Sequence, residues 1–570
     1  MEFTKERRIY RSTLVQRGFL GYHPSSGIGK GEWSYEENLS SRCFPHLCPR
    51  ESRRRLLTPE LQGIGALDTL CYVAEGTLYY GDHSIELPLT EGEKELIPFG
   101  AYLIIRPDML WVNTVEHSYG FCEKGEMFQG DLGILWCDRE GQPLEPVVDG
   151  SEAPENTMQY WLDTQHSPPI LKVYSQDTGL WHPMDQTYIR IVADGIGAQF
   201  PTGSRVKVDG DHELERIIGA GLREILDSGR DHIMIAGTMD SIRKELRQRQ
   251  WKITCPVPIM DYLLCHENRL WGCRYGRDHN GSFVNEIYAC ALGDFTAWYT
   301  YRGIASDSYT ASLGTQGPFT GAAVVGGYPV FFKEDSLTRI YGSHPSNFRL
   351  QTVPCVGVAK GSDRSSALLD GALVYLGRDG FYLYDGSLPR KISSDLDAMH
   401  YSNGVGGTCG SYYYADVCEN GIPVTMCYDK EHGLWHRESS MWATKMVSHG
   451  DVLYYMSLDN MLYAVGTQLG EAAEKQVSWE AVSDILREDE PRKGYLTGLS
   501  LRLSMESGSR LSVFAEYDSC GAWEPLGTLC GGPLYGREVP LRLRRCDHLR
   551  LRFQGQGNVT VHTLFMNMEG

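Results

Sequence analysis

The sequence predicts an all-β chain: a β-propeller of about seven blades, an inserted β-rich domain and a C-terminal β-sandwich of the jelly-roll kind. Three observations lead there. The first is a hairpin that recurs. Val374-Tyr375-Leu376, the turn Gly377-Arg378-Asp379-Gly380 and Phe381-Tyr382-Leu383-Tyr384 place an Asp-Gly turn between two apolar runs, a strong short-range hairpin signal. The second is spacing. Similar units turn near residues 75, 108, 267, 335, 379, 420 and 459, and four of the six gaps are about one blade long, roughly 40 residues. The third is strict alternation near the C-terminus. Leu499, Leu501 and Leu503, then Leu511 and Val513, Leu541 and Leu543, and Leu549, Leu551 and Phe553 are each spaced as strands with one buried face require.

Residues 1–55 read as an extended N-terminal arm, polar and glycine-containing, that ends in Arg53-Arg54-Arg55 and lies on the body or on a neighbouring subunit. Residues 56–117 hold the first blades, with Glu75-Gly76 and Pro107-Asp108 as their turns. The overlong gap between turns 108 and 267 leaves room for one domain, placed at 118–255. Its strand-like runs are Gly133–Cys137, Ile170–Tyr174, Tyr188–Val192, Arg205–Val208 and Ile233–Ile235. Helical spacing predicts short helices at Glu213–Leu226 and Ser241–Gln250. The remaining blades fill 256–470 and the sandwich 471–570, with loops at Glu506–Ser509 and Gly531-Gly532-Pro533.

Composition narrows the function. The 570 residues are 42% hydrophobic and 22% charged, as in a globular protein, and 63 Gly with 33 Tyr suit a turn-rich β fold. No apolar stretch is long enough to span a bilayer, and Met1–Arg8 lacks the apolar run of a signal peptide, so the chain reads as cytosolic when made. The 16 cysteines are scattered singly, and close pairs such as Cys43/Cys48 and Cys265/Cys273 lack zinc-site spacing. Buried reduced thiols are expected, with no metal and no cofactor. A net charge of −19 argues against a protein that grips nucleic acid through its phosphates. It suits a surface kept soluble, or a channel along which DNA slides without sticking.

Motifs for chemistry are weak. Gly27-Ile28-Gly29-Lys30 lacks the phosphate-loop spacing, and His266-Glu267 lacks the second histidine of a helical zinc motif. No G-x-S-x-G elbow occurs. Ser175–Trp181 approximates the Asp-box turn of sialidase-type propellers, which is structural even there, and Gly433-Leu434-Trp435 is similar. The turn residues Asp108, Asp335, Asp379 and Asp459 sit in equivalent places, which fits repeated capping of a tight turn better than four active sites. Trp523 and Tyr517 could form a sugar-stacking platform, although core packing explains them more simply. No catalytic, cofactor-binding or metal residue is assigned, and no enzyme is expected.

Several stretches resemble a known family. Asn285–Ala289, Leu292–Trp298, Val330–Asp335, Ile340-Tyr341-Gly342 with Pro345–Phe348, and Asp379–Gly386 are similar to the β-propeller tail proteins of short-tailed bacteriophages, the nozzle or tail-hub (stabilisation) class. Asn38–Ser41 and Pro49-Arg50 are similar to the start of such proteins. The resemblance implies a structural virion protein, made in the host bacterial cytoplasm and residing in the tail. It further implies a homo-oligomeric ring, commonly sixfold, below the tail adaptor and portal-proximal proteins, that carries fibres and passes genomic DNA without reading its sequence. The alternative from a different class is a carbohydrate-binding or carbohydrate-active propeller acting on host-surface glycan.

Overall fold

The computed structural model describes residues 11–25, 29–56, 59–219, 221–486, 494–532, 536–540 and 544–569. Met1–Arg8, Gly27-Ile28, Pro533, Leu541 and Leu543 lie outside them. The fold is all-β and built from many small sheets. Two compact units divide the chain. One comprises Met1–Leu96, Thr320–Leu337 and Thr352–Gly570, the other Ile97–Phe319 and Thr338–Gln351.

In the first unit the predicted hairpins form antiparallel meanders. Leu61–Ala66, Leu70–Ala74, Thr77–Tyr80 and His83–Glu86 make one sheet. Ala367–Leu369, Ala372–Gly377, Gly380–Tyr384 and Arg390–Lys391 make another, and Tyr401–Cys409, Tyr412–Glu419, Ile422–Asp429 and Leu434–Ser439 a third. The turn chemistry explains why the strands fold back here. Glu75 and Gly76 have φ of 50° and 75°, and Asn420 and Gly421 have 50° and 86°. Two consecutive positive φ values give a two-residue loop the twist that matches paired strands. Strands Ala372–Gly377 and Gly380–Tyr384 are buried throughout, so they read as continuous apolar runs rather than as alternation.

Neighbouring sheets bury these faces against each other. Leu376 and Phe381 of one sheet share a core with Tyr413, Met426 and Trp435 of the next, with the Phe381 and Trp435 rings 4.7 Å apart. Met446 and Leu453 pack with Val405 and Tyr414, while Met456 and Leu462 pack with Leu61, Ile64 and Ala74. Sheets late in the sequence therefore rest on the earliest one. The sheet Ala443–His449, Val452–Ser457, Leu462–Val465 takes its next strand from the other end of the sequence. Arg54–Arg55 pairs with Tyr463 and Ala464 on one side and with Glu471 and Ala472 on the other.

The C-terminal part of this unit is a nine-stranded sheet around one long strand, Gly494–Tyr517. Its first half pairs with Val559–Glu569 and its second half with Leu549–Gln556. The alternating Leu499, Leu501, Leu503, Leu511, Val513, Leu551 and Phe553 face a common core. The N-terminal segment joins the same sheet. Arg11–Gln16 pairs with Val559–Glu569, and Trp33–Glu37 pairs with Ser478–Ser483.

The second unit contains the hairpins Tyr102–Arg106 with Leu110–Asn113 and Tyr262–His266 with Arg269–Arg277. Glu267-Asn268 joins the first two strands of its sheet, whereas Glu75-Gly76, Asp379 and Asn420-Gly421 join the second and third of theirs. Between these hairpins lies a closed barrel. In order its strands are Lys124–Cys137, Tyr188–Val192, His232–Ala236, Arg223–Gly229, Arg205–Asp209 and Arg243–Cys255, around a core that includes Ile134, Ile189, Ile225, Ile235 and Ile253. A four-stranded sheet, Val147–Gly150, Tyr160–Asp163, Ile170–Ser175 and Leu180–Pro183, adds to the same core through Leu162 and Leu171.

Both helix expectations need correction. Only His212–Ile218 is helical in the first. Asp211 caps it through the N–H groups of Glu213 and Leu214, and Gly219 at φ 84° stops it. The second, Ser241–Gln250, lies mostly in a barrel strand, Arg243–Cys255. Gln248, at φ 50°, sits at the bulge where the pairing with Lys124–Cys137 shifts between Gly130 and Leu132. The bulge flips the inward parity from Leu246 to Trp251 and Ile253, and that break of the two-residue period imitates helical spacing. Among the described residues no helix is long and apolar enough to cross a membrane.

Candidate functional site: a buried ionic clamp

With no catalytic residue marked by the sequence, the most informative side chains are charges that the fold has taken out of water, because such groups are costly unless paired. A dense set lies in the first unit, where the N-terminal segment crosses the strand Leu434–Ser439.

Asn38 turns the chain at φ 61°, a conformation that Asn tolerates through its short polar side chain. Its Oδ1 accepts from Arg50 Nε at 2.9 Å, Ser439 N at 3.0 Å and Ser439 Oγ at 2.9 Å, and its Nδ2 donates to the Ser478 carbonyl at 2.9 Å. One amide thus ties together three distant stretches of sequence.

Glu36 is fully buried, and its Oε1 meets His436 Nδ1 at 2.7 Å and Arg437 N at 3.2 Å. Burial pulls the imidazole down, but the Glu36 carboxylate, with Glu438 and Asp429 nearby, outweighs it and leaves His436 above its ordinary value. Arg437 Nε donates to Glu419 Oε2 at 2.8 Å, while Glu419 Oε1 accepts from Tyr401 at 3.1 Å and Tyr22 at 3.3 Å. The Arg437 guanidinium also lies over the Tyr35 ring, 5.2 Å from its centroid.

Glu438 faces two guanidiniums. Its side chain is 2% exposed, with Arg53 Nη2 at 3.0 Å and Arg50 Nε at 3.4 Å. Arg50 also reaches Glu474 Oε1 at 2.7 Å, and Glu474 Oε2 accepts from Ser52 Oγ at 2.9 Å and Arg53 N at 3.2 Å. Burial pushes Glu474 up, but the bonds from Arg50 and Ser52 hold its carboxyl below the usual range. At the edge of the clamp Ser41 Oγ donates to Asp429, which also takes His432 Nδ1 at 2.7 Å. Each carboxylate named here is engaged by a cation or by several donors, although Glu36 Oε2 and His436 Nε2 are buried without a hydrogen-bond partner among the described residues. The arrangement ties the N-terminal segment to the strand Leu434–Ser439, and removing one partner of such a pair costs about 3–5 kcal/mol.

The residues singled out in the sequence fall elsewhere. Asp379 accepts from Tyr382 Oη at 3.0 Å, Asp335 pairs with Arg378 at 3.2 Å, and Asp459 accepts from Ser457 Oγ. These bonds run to side chains rather than to turn amides, which revises the capping explanation at those three positions. Asp108 lies in the turn after Tyr102–Arg106. Backbone capping by Asp is found at positions that the sequence reading did not mark. Asp278 accepts from Asn280 and Ser282 N–H groups, Asp385 from Ser387, and Asp429 from Glu431. In Ser175–Trp181 the turn closes through Gly179 N to the Ser175 carbonyl at 2.9 Å, and Gly433 N bonds the Asp429 carbonyl in the same way at 2.8 Å. His266 Nε2 lies 3.9 Å from Glu267 at the end of a strand. Tyr517 belongs to the core at 1% exposure, and the Arg550 and Arg552 guanidiniums cover the Trp523 ring at 5.7 and 5.8 Å, so the two aromatics do not form one open platform.

The cysteines are free thiols, with Cys48, Cys71, Cys122, Cys137, Cys273, Cys290, Cys427 and Cys546 buried and Cys520 and Cys530 exposed. Burial pushes the Cys122, Cys137 and Cys290 thiols up to about 12, which keeps them protonated and unreactive. The clamp left no local signal. Its partners lie some four hundred positions apart in sequence, and only the basic triplet Arg53-Arg54-Arg55 hinted at charge to be neutralised.

Neither the profiles of known protein families nor the curated protein sequences give a match. Among solved structures the chain is similar to BamB from Moraxella catarrhalis, at 11% identity and a TM-score of 0.31, over 74% of this chain and 99% of that one. PorZ of the Porphyromonas gingivalis type-IX secretion system matches at 10% identity and a TM-score of 0.26, over 86% and 80%. An exo-β-1,3-galactanase from Phanerochaete chrysosporium matches at 9% identity and 0.21, over 53% and 94%. These scores are too low to carry an argument about architecture or activity.

Proposed function

We propose that the chain is a seven-bladed β-propeller with an inserted barrel and a C-terminal β-sandwich, and that it works mechanically, as a ring-forming nozzle or hub in the tail of a short-tailed bacteriophage. In this reading the small antiparallel sheets that hold the predicted turns are the blades. The observation that supports it is the strand Arg54–Arg55, which sits between Leu462–Val465 and Glu471–Ala472 in the last of these sheets. Joining a residue pair from the start of the repeat to its last sheet closes a circle of blades and hides their edges. The ionic clamp beside it fixes that joint, as a body under internal DNA pressure requires. The N-terminal segment is then a fastening within the subunit, continuing from the last blade into the sandwich. The resemblance to tail proteins supplies the place: a virion tail, with identical subunits, an adaptor above, fibres mounted outside and genomic DNA in transit.

Negative-stain images of the purified protein, concentrated to favour assembly, test the reading. Rings with a central opening are the expected result. Single particles at all concentrations, or release of sugar from bacterial surface polysaccharide by the same preparation, would refute it.

A further inference from the structure

In the second unit a long loop, residues 290–308, follows the strand Phe283–Ala289 and precedes Tyr309–Ser312. Connections between strands usually run to about four to six residues, and much longer ones without secondary structure are usually functional. This loop is held rigid from within. Arg269, 2% exposed, donates Nη1 to the carbonyls of Cys290 at 2.7 Å and Asp307 at 2.6 Å, and Nη2 to that of Ala305 at 2.8 Å. Asp307 in turn accepts from the N–H groups of Gly303 at 2.6 Å and Ile304 at 3.1 Å, and from Arg302 Nε at 3.2 Å. The loop also contains Leu292–Trp298, one of the stretches that resemble the tail proteins.

Between this loop and the barrel lies a cleft of about 210 Å³. At about 30 Å³ per water it has room for roughly seven waters, or for one small polar molecule. Lys124, Arg205 and Arg302 line it, with the hydroxyls of Ser204, Thr296 and Thr300. Ser204 and Thr300 are buried. The carboxylate in the lining, Asp294, is turned to its own loop, where it accepts from Thr296 N at 2.9 Å and Thr296 Oγ1 at 2.6 Å. The Arg205 guanidinium is held over the Tyr301 ring, 5.3 Å from its centroid. In a chain of net charge −19, a cleft lined by three cations, of which Arg302 is balanced by Asp307, and by one carboxylate turned to its own loop is a local reversal of sign.

We propose that this cleft binds a small oxyanion, a phosphate, sulfate or carboxylate group, with Lys124 and Arg205 supplying charge and the hydroxyls of Ser204 and Thr300 supplying hydrogen bonds, while Arg302 and Thr296 remain bonded to Asp307 and Asp294. A guanidinium meets such a group with paired donors, and a braced loop pre-forms the site. The anion is either free or the acidic group of a monosaccharide, two sources with the same recognition chemistry. Isothermal titration of the full chain at low salt, with inorganic phosphate, sulfate and glucuronate each taken to about 10 mM, covers a millimolar Kd with tenfold excess. Binding of phosphate or sulfate as tight as that of glucuronate supports a free anion, and tighter glucuronate supports an acidic sugar. Arg205→Gln should weaken either by about tenfold, as loss of a charge-assisted hydrogen bond does. Lys124→Gln, at an exposed position that leaves the fold intact, should weaken it severalfold. No heat with any of the three anions, or undiminished affinity in both variants, would overturn the assignment.

Discussion

Replacing Glu438 by Gln is the sharpest test of the clamp. The change keeps the shape of the side chain and removes the charge that Arg50 and Arg53 share at 3.4 and 3.0 Å. Arg50 keeps Glu474 as a partner, so the loss falls chiefly on Arg53, whose side chain is 7% exposed. Removing the charged partner of a buried guanidinium costs about 3–5 kcal/mol, and Arg53 keeps its bonds to the Ser439 and Ser440 carbonyls at 2.6 and 3.1 Å while the Gln oxygen can still accept one, which places the expected loss near 3 kcal/mol. For a unit of this size that loss lowers Tm by on the order of 5 °C. Differential scanning calorimetry reads it directly, and limited proteolysis should show earlier cleavage near the N-terminal segment. Asp335→Asn provides the control, since its pair with Arg378 is largely exposed and such pairs contribute little. Equal melting of Glu438→Gln and the parent, or equal effects in the two variants, would mean that the clamp holds nothing.

Three further predictions follow from other contacts. His436 is raised in the folded state, so its pair with Glu36 contributes fully below the ordinary histidine value of about 6.5 and is lost as pH rises through the higher native value; melting curves should fall on that alkaline side, and Glu36→Gln should flatten the slope. Gly197→Ala would place a Cβ 1.6 Å from the Gly229 carbonyl oxygen, so the barrel should lose about 3 kcal/mol or more, whereas Gly133→Ala, with open space around it, should melt like the parent. Gly421, at φ 86° in its hairpin turn, should cost about 1 kcal/mol as Ala, with a matching drop in the urea midpoint; no change would show that the turn relaxes freely.

The hairpins were legible because their signals are local. Glu75-Gly76 and Asn420-Gly421 need positive φ at two adjacent residues, and the sequence offers residue pairs that accept it. Position within a sheet was less legible. Glu267-Asn268 has the same turn geometry yet joins a different pair of strands, because that choice depends on what lies alongside. Ser241–Gln250 looked helical because one bulge at Gln248 breaks the two-residue period of the strand Arg243–Cys255. The clamp could not be read at all. Nothing local distinguishes Glu36 or Glu438 from a solvated carboxylate until strands far apart in sequence are brought together. The cleft was not read as a site: Leu292–Trp298 stood out only through its resemblance to tail proteins, and Lys124 and Arg205 come from the barrel.

The pairing of Arg11–Gln16 with Val559–Glu569, and of Trp33–Glu37 with Ser478–Ser483, has a consequence for how the chain is made. Translation delivers the early strands long before their partners leave the ribosome, so they must wait unpaired, with Trp33 and Phe19 exposed to passing chains or chaperones. Completion of that sheet is therefore late, and a chain lacking Val559–Glu569 would leave Arg11–Gln16 without its partner strand.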